Sequence, residues 1–580
     1  MTNITSTVRT EIGFLAIPAR SLSPLFALWQ DVGIGGYEVG AVTGLEQPDI
    51  RLTADVLVLG GGPSGAWAAW SAASQGARVV LADKGYLGTS GATAPGGTNL
   101  LYLPPDKEKR DAAVAERLKG GGYLSEPDWI YRVMEQVYIN MELVAEWGYP
   151  FPKDADGNVS KAHLHGPEYM HLMRNVVAKA GVTILDQHPA QELLHDENGV
   201  AGARGVNRLN GKTWEVRAGA VVLATGGCAF LSKGLGCNVL TGDGLLMAAE
   251  LGADLSGMEF SRQYAPSAAF GTVTRGRLLG WASFFDAEGN VLHDGTGGPR
   301  GDDFIARMLR KGPLFARLDQ ADTEEKRRLL RRAHPIFFLP LDRNGIDPFT
   351  QKFPLTLRYE GTVRGTGGIR IVGSDCSTSV PGLFAAGDAA SREKTAGART
   401  GGGAYNASWA ICSGTWAGQG AAAHARSLGA LADRRDPKPA GQVGLASTAQ
   451  SGDQVDVGEL TSNIQREVLP LEINYFRSEP VIRASLERLH ALWPQAYGKP
   501  PATVQGKVRA REAAAMAATA RWMYAAALTR KETRGMHTLA EYPDIDPAQA
   551  HRLLVSGVDR ISIRTEAVPY APAAERRLVP

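Results

Sequence analysis

The sequence predicts an α/β fold: a Rossmann-like dinucleotide-binding domain, interrupted by an inserted α+β domain and followed by a helical domain. Three observations predict it. A short apolar strand pattern, Ala54-Asp55-Val56-Leu57-Val58-Leu59, runs directly into the glycine turn 60–65 and an Ala/Trp-rich helix. Two more strand-then-glycine turns occur far downstream, at 221–227 and 381–388. Between about 258 and 363 the texture changes to mixed aromatic and charged sequence, and then the strand and glycine signals return.

Taken in order, residues 1–52 show no strong period and read as an extended arm. Residues 53–257 hold the first part of the nucleotide domain, whose second strand runs from Ala77 to Asp83. A helical insertion spans about 101–165; within it Ile130, Val133, Met134, Val137 and Met141 recur at helical spacing. Residues 258–363 form the inserted domain and 364–433 the second part of the nucleotide domain. A Pro/Gly/Ser/Asp-rich linker follows at 434–460, then a helical domain at 461–545 and a closing hairpin and tail at 546–580.

Composition narrows the function. With 62 Lys and Arg against 60 Asp and Glu the formal net charge is +2, which provides no general field for nucleic acid or anionic membrane. The four cysteines, Cys228, Cys237, Cys376 and Cys412, make no CxxC pair, so neither a disulfide framework nor a cysteine-held cluster is expected. No apolar run reaches the length of a membrane span, and the first twenty residues lack a signal design; cytoplasm is the expected compartment. The excess is glycine, 69 of 580 residues, about 12% against roughly 7% in average usage.

The glycines have a chemical reason. Phosphates of a dinucleotide need backbone N–H groups at close range, and Gly60, Gly62 and Gly65 supply the GxGxxG spacing between a strand and a helix. Asp83, at the end of the second strand, is placed to accept ribose hydroxyls. NAD and FAD share this fingerprint. The further turns Ala224-Thr225-Gly226-Gly227 and Gly387-Asp388 imply one long ligand.

At this point the chain resembles the flavoprotein subunits of the fumarate reductase and succinate dehydrogenase family, which includes L-aspartate oxidase and adenylylsulfate reductase. The resemblance covers about Asp55 to Ser562 and rests on Lys84-Gly85, SGATAPGG at 90–97, ATGG at 224–227, TGDG at 241–244, Glu259-Phe260, GLFAAGDAA at 382–390, Gly401-Gly402 and RKETRGMH at 530–537. It implies bound FAD, a capping domain over the isoalloxazine and hydride transfer at flavin N5. The cofactor-binding residues it implies are Gly60, Gly62, Pro63, Ser64 and Gly65; Asp83 and Lys84; Ser90, Gly91, Ala92, Thr93, Gly96 and Gly97; Ala224, Thr225 and Gly226; Thr241 and Asp243; Gly387 and Asp388; and Arg399, Gly402 and Ala404.

Departures from the family pattern shape the remaining expectations. The histidine that succinate dehydrogenases attach covalently to FAD falls on Ser90, so non-covalent FAD is expected. Arg307 resembles the family's proton-donating arginine and Arg399 the arginine that clamps a substrate carboxylate; these are the catalytic candidates, Arg307 against a competing reading as a surface arginine. The family histidine before the GGI triplet falls on Val363, with Arg364 beside it, and the Thr-x-Glu segment aligns near 272–277 without its glutamate. Arg275, Arg277 and Arg364, if all three face inward rather than into solvent, would make the cap more positive and suit a bulkier or more anionic substrate. Asn99, His165 and His537 complete the substrate-side candidates. His163, His165 and His171 form an HxH pattern, but an ordinary helix start at Gly166-Pro167 explains it better than zinc, and no metal is expected. The reaction expected is two-electron transfer between flavin and a small anionic, carboxylate-bearing substrate. Two alternatives stay open: a flavoprotein electron-transfer subunit with a separate electron-donor or iron–sulfur partner, and an oxygen-reactive oxidase.

Overall fold

The computed structural model describes residues 48–569, apart from 154–156, 158, 275, 293–301, 401, 430, 432–434 and 451. Most of the arm expected at 1–52, and the tail from 570, therefore lie outside the described residues. The first strand begins at Ile50, earlier than the apolar pattern indicates, because Ile50 to Thr53 pair with Trp214 to Arg217.

The main sheet is built on the strand Ile50–Leu59. It is flanked in parallel by Val79–Asp83 on one side and by Thr213–Leu223 on the other. Val56, Leu57 and Val58 are fully buried, which explains why this strand reads as a continuous apolar run. Thr183–Asp186 extends the sheet in parallel beyond Val79–Asp83. On the edge away from the first strand, the eleven-residue strand Thr213–Leu223 is shared: its first half closes an antiparallel meander with Gly199–Val206, and its last three residues pair in parallel with Leu383–Ala385. Two helices, Pro63–Ser74 and Gly402–Leu428, pack on this sheet and on each other. Their approach needs bare backbone, since a Cβ at Gly414 would lie 2.4 Å from the Ser64 carbonyl oxygen.

A second, wholly antiparallel sheet runs in the order Tyr264–Ala268, Phe353–Tyr359, Leu314–Arg317, Ser283–Phe285, Val291–Leu292. It has its own core, in which Phe284, Phe304, Phe338 and Phe353 are buried. Farther along, Val457–Val468, Glu479–Leu492 and Val504–Thr529 form a helical layer. The last of these is alanine-rich and buried on most faces, and it lies against the helix Asp243–Glu250. The hairpin His551–Ser556 and Ser562–Ala567 joins Leu255–Ser256 and Gly368–Ile369 in a small third sheet. Among the described residues no helix is long and apolar enough to cross a membrane.

Candidate active site

The carboxyl ends of the parallel strands open into a cleft of about 1260 Å³, counting its open mouth. The turn after the first strand forms its floor. Gly60 has φ +113°, and a Cβ there would meet the Ala224 carbonyl oxygen at 2.3 Å. The helix that follows starts at Pro63 with no side-chain cap, so its free N–H groups and positive end face the cleft. Asn406, Ala407 and Ala410, on the first turns of the second long helix, form the opposite wall.

Asp83 is the hub of one end. Its carboxylate accepts hydrogen bonds from the Gly61 N–H (2.5 Å), the Gly85 N–H (2.7 Å) and the Ser90 hydroxyl (2.5 Å). Beside it the Lys84 ammonium donates to Thr241 Oγ1 (2.9 Å), Asp243 Oδ2 (2.7 Å) and Glu512 Oε1 (3.0 Å). Burial alone would push this ammonium down, but the two carboxylates hold it above the ordinary lysine value. Arg208 donates to the Lys84 carbonyl at 2.8 Å and lines the same end with Pro189 and Ala190.

Arg364 and Asp388 line the cleft elsewhere. Among the described residues the Arg364 guanidinium has no hydrogen-bond or ion-pair partner, and the Glu360 charge holds it firmly protonated. Glu360 is itself buried and accepts from Thr274 Oγ1 at 2.8 Å. Burial, and then Glu360, raise the Asp302 carboxyl to about 6. Burial pushes the Asp388 carboxyl up, against the pull of Arg392 and Arg364.

Among the sequence candidates, Gly60, Gly62, Pro63, Ser64, Asp83, Lys84, Ser90, Gly91, Ala92, Thr93, Gly97, Ala224, Thr225, Gly226, Asp243, Arg364 and Asp388 line this one cleft. Gly65, Gly96, Thr241 and Gly387 stand directly behind it: a Cβ on Gly65 would fall 1.7 Å from the Gly60 carbonyl oxygen, and the Gly96 carbonyl accepts the Gly166 N–H at 2.5 Å. Gly402 and Ala404 begin the second long helix. The other candidates are not gathered there. Arg307 is 58% exposed and pairs with Asp303 one turn earlier on its own helix, at 3.1 Å. Arg399 is 44% exposed and pairs with Glu116 at 2.7 Å. Arg277 is exposed on a 3₁₀ turn, and Arg275 lies outside the described residues. Asn99 hydrogen-bonds the His163 ring at 2.9 Å, while His165 is half-exposed against Glu168. His537 is fully buried beside Arg477 and Arg530, and burial reinforced by those charges keeps its imidazole neutral. Sequence reading missed Arg208, Glu360, Asp302 and Asn406. Only Asn406 carried a local signal, four residues into the helix that follows the last glycine run.

Comparison with known proteins agrees with this geometry. The sequence model of the FAD binding domain matches residues 55–297, and that of the fumarate reductase flavoprotein C-terminal region matches 466–576, together more than half of the chain. The chain belongs to the fumarate reductase and succinate dehydrogenase flavoprotein family. This flavoprotein is 28% identical to the L-aspartate oxidase of Mycobacterium leprae over 90% of its own length and 99% of the relative's. It is 25% identical to a fumarate reductase flavoprotein subunit of Mycobacterium tuberculosis over 91% of its length and 98% of that subunit's. The fold recurs in E. coli quinol fumarate reductase, with a TM-score of 0.76 at 20% identity over 90% of this chain and 98% of that one. It recurs also in adenylylsulfate reductase of Archaeoglobus fulgidus, with a TM-score of 0.70 at 19% identity over 90% and 96% of the two chains. The flavoprotein is an FAD-dependent oxidoreductase.

The cleft suits FAD on its own terms. Thr225 Oγ1 and Asn406 Oδ1 are buried in its wall without a hydrogen-bond partner among the described residues, and such atoms in a native protein call for a ligand or water. A free helix N-terminus for the pyrophosphate and a carboxylate for the ribose complete the fit.

Proposed function

We propose that this flavoprotein carries out two-electron transfer between non-covalently held FAD and a small carboxylate-bearing substrate, with Arg364 as the anion clamp. The observation that carries the reading is Arg364: a partly buried guanidinium on the wall of the cofactor cleft, kept protonated by Glu360 and without a partner among the described residues. A planar fork in that state suits a carboxylate, which can accept two parallel N–H bonds. When bound, FAD supplies a two-electron acceptor or donor at N5. Glu360 holds the clamp charged, and the Asp302 carboxyl, which feels the same Glu360 charge and is raised to about 6, can exchange a proton just below neutral pH. Fumarate reductases and L-aspartate oxidases are named for dicarboxylates, which supports the same substrate class. Ser90 supports non-covalent cofactor, because its hydroxyl is engaged by Asp83 and it carries no imidazole.

The test is anaerobic. The purified yellow protein is titrated with succinate, L-aspartate and malonate while the flavin spectrum is followed, and Arg364→Ala is compared. Bleaching by one acid, a spectral shift with malonate, and loss of both in the variant are expected; unchanged malonate affinity in Arg364→Ala would remove the clamp. Acid precipitation should release the colour to the supernatant, and colour kept in the pellet would contradict non-covalent binding.

The electron acceptor divides two further readings. Four buried, separate cysteines support an iron–sulfur centre on a partner chain if electrons leave that way. Similarity to L-aspartate oxidases over most of the chain supports direct reaction with oxygen. Reoxidation of the reduced protein in air within seconds favours the second; slow reoxidation favours a protein partner.

A further inference from the structure

We infer that Arg392 is a positioning residue that keeps the substrate clamp available, by occupying the one carboxylate on the cleft wall that would otherwise capture Arg364. This rests on the clamp role proposed for Arg364. Arg392 is fully buried, with 0% of its side chain exposed. One arm of its fork meets Asp388 Oδ1 at 2.5 Å. The other donates to the carbonyls of Thr362 (3.1 Å), Val363 (3.2 Å) and Gly365, which surround Arg364 in the chain. A single guanidinium therefore ties the acidic turn Gly387-Asp388 to the turn that carries Arg364.

Electrostatics makes the tie consequential. Asp388 feels both guanidinium groups, and Arg364 feels both Glu360 and Asp388. With Arg392 in place Asp388 is neutralised and Arg364 stays unpaired among the described residues. Without it Asp388 loses the stronger of the two cations that act on it, and the other is Arg364, which lines the same cleft. The Val363 carbonyl also accepts from Asn406 Nδ2 at 3.0 Å, so the strap reaches the helix wall of the cleft.

The experiment compares Arg392→Met, Arg392→Lys and Arg364→Ala as FAD-loaded proteins, reading malonate affinity from the flavin spectrum and stability from thermal melting. Lysine restores the charge beside Asp388 but cannot fork onto three carbonyls. The expected result is a malonate dissociation constant raised at least about tenfold in Arg392→Met but within about threefold of the parent in Arg392→Lys, although both melt earlier. A purely structural role would instead make affinity fall with melting temperature in both variants. That outcome, or unchanged affinity in Arg392→Met, overturns the inference. If Arg392→Met does not fold, Arg392→Gln replaces it as the neutral variant. Arg364→Ala separates the two levels: unchanged affinity there refutes the clamp itself, whereas weakened affinity there with normal affinity in Arg392→Met refutes only the strap.

Discussion

Gly65→Ala is the sharpest perturbation of the cofactor turn, because two effects of opposite sign compete there. In an exposed helix interior, replacing glycine with alanine stabilises by about 1 kcal/mol. At position 65 the added Cβ would lie 1.7 Å from the Gly60 carbonyl oxygen and 2.9 Å from its carbon. Both atoms are backbone, so no side-chain rotation relieves the overlap. The first helix must retreat from the first strand by well over an ångström, and its N-terminus leaves the phosphate position. Overpacking of a fixed core costs about 1–3 kcal/mol even where side chains can yield, so a net loss of about 3 kcal/mol is expected here, on the order of 100-fold in FAD affinity. The assay is flavin per chain after FAD saturation and gel filtration, with thermal melting in parallel. Gly76→Ala is the control: its φ is +81° with nothing within 4 Å of the added carbon, so it loses about 1 kcal/mol of stability and no flavin. If Gly65→Ala holds FAD like the parent and melts at the same temperature, the close-approach argument is wrong.

Three further outcomes are expected. Lys84→Met leaves Asp243 on the cleft wall without its cation and Glu512 with Arg509 alone, so it should release FAD and lower the melting temperature, whereas Arg78→Met, at an exposed pair, should do neither. Glu250→Gln breaks a fully buried pair with Arg511 and should cost about 3–5 kcal/mol by denaturant titration; a loss below about 1 kcal/mol would show that the arginine finds other partners. Asp302 has a folded-state carboxyl near 6 against roughly 4 in an unfolded chain, so the folded protein binds its proton more tightly. Its stabilising contribution is complete below about pH 4 and lost as pH rises through 6, hence Asp302→Asn should gain up to about 3 kcal/mol relative to the parent between those limits. Equal pH profiles of melting for the two proteins would exclude it.

The legible part of this protein is local. Gly60, Gly62, Gly65 and Asp83 are read at fixed spacing because a turn, a helix start and a strand end are each built from neighbours. The α/β class follows from the same segment. The unread part is long-range. Thr274 meets Glu360 across 86 positions, so the 272–277 segment gains a carboxylate partner from the end of another strand, which no spacing rule indicates. Arg208 reaches Lys84 from a hairpin 124 positions away. Arg399 shows the opposite limit: its place beside the glycine run is clear in the sequence, but the choice between the cleft and Glu116, 283 positions away, is made by side-chain packing.

The divided strand Thr213–Leu223 also sets the order in which the protein can be assembled during synthesis. Its last three residues wait for Leu383–Ala385, and the wall formed by Asn406 and Ala410 is made later still. A nascent chain that has just passed residue 223 therefore carries half a nucleotide site and an open strand edge. Until some 190 more residues emerge from the ribosome, that edge is available for wrong pairing and the cofactor has only one wall to bind.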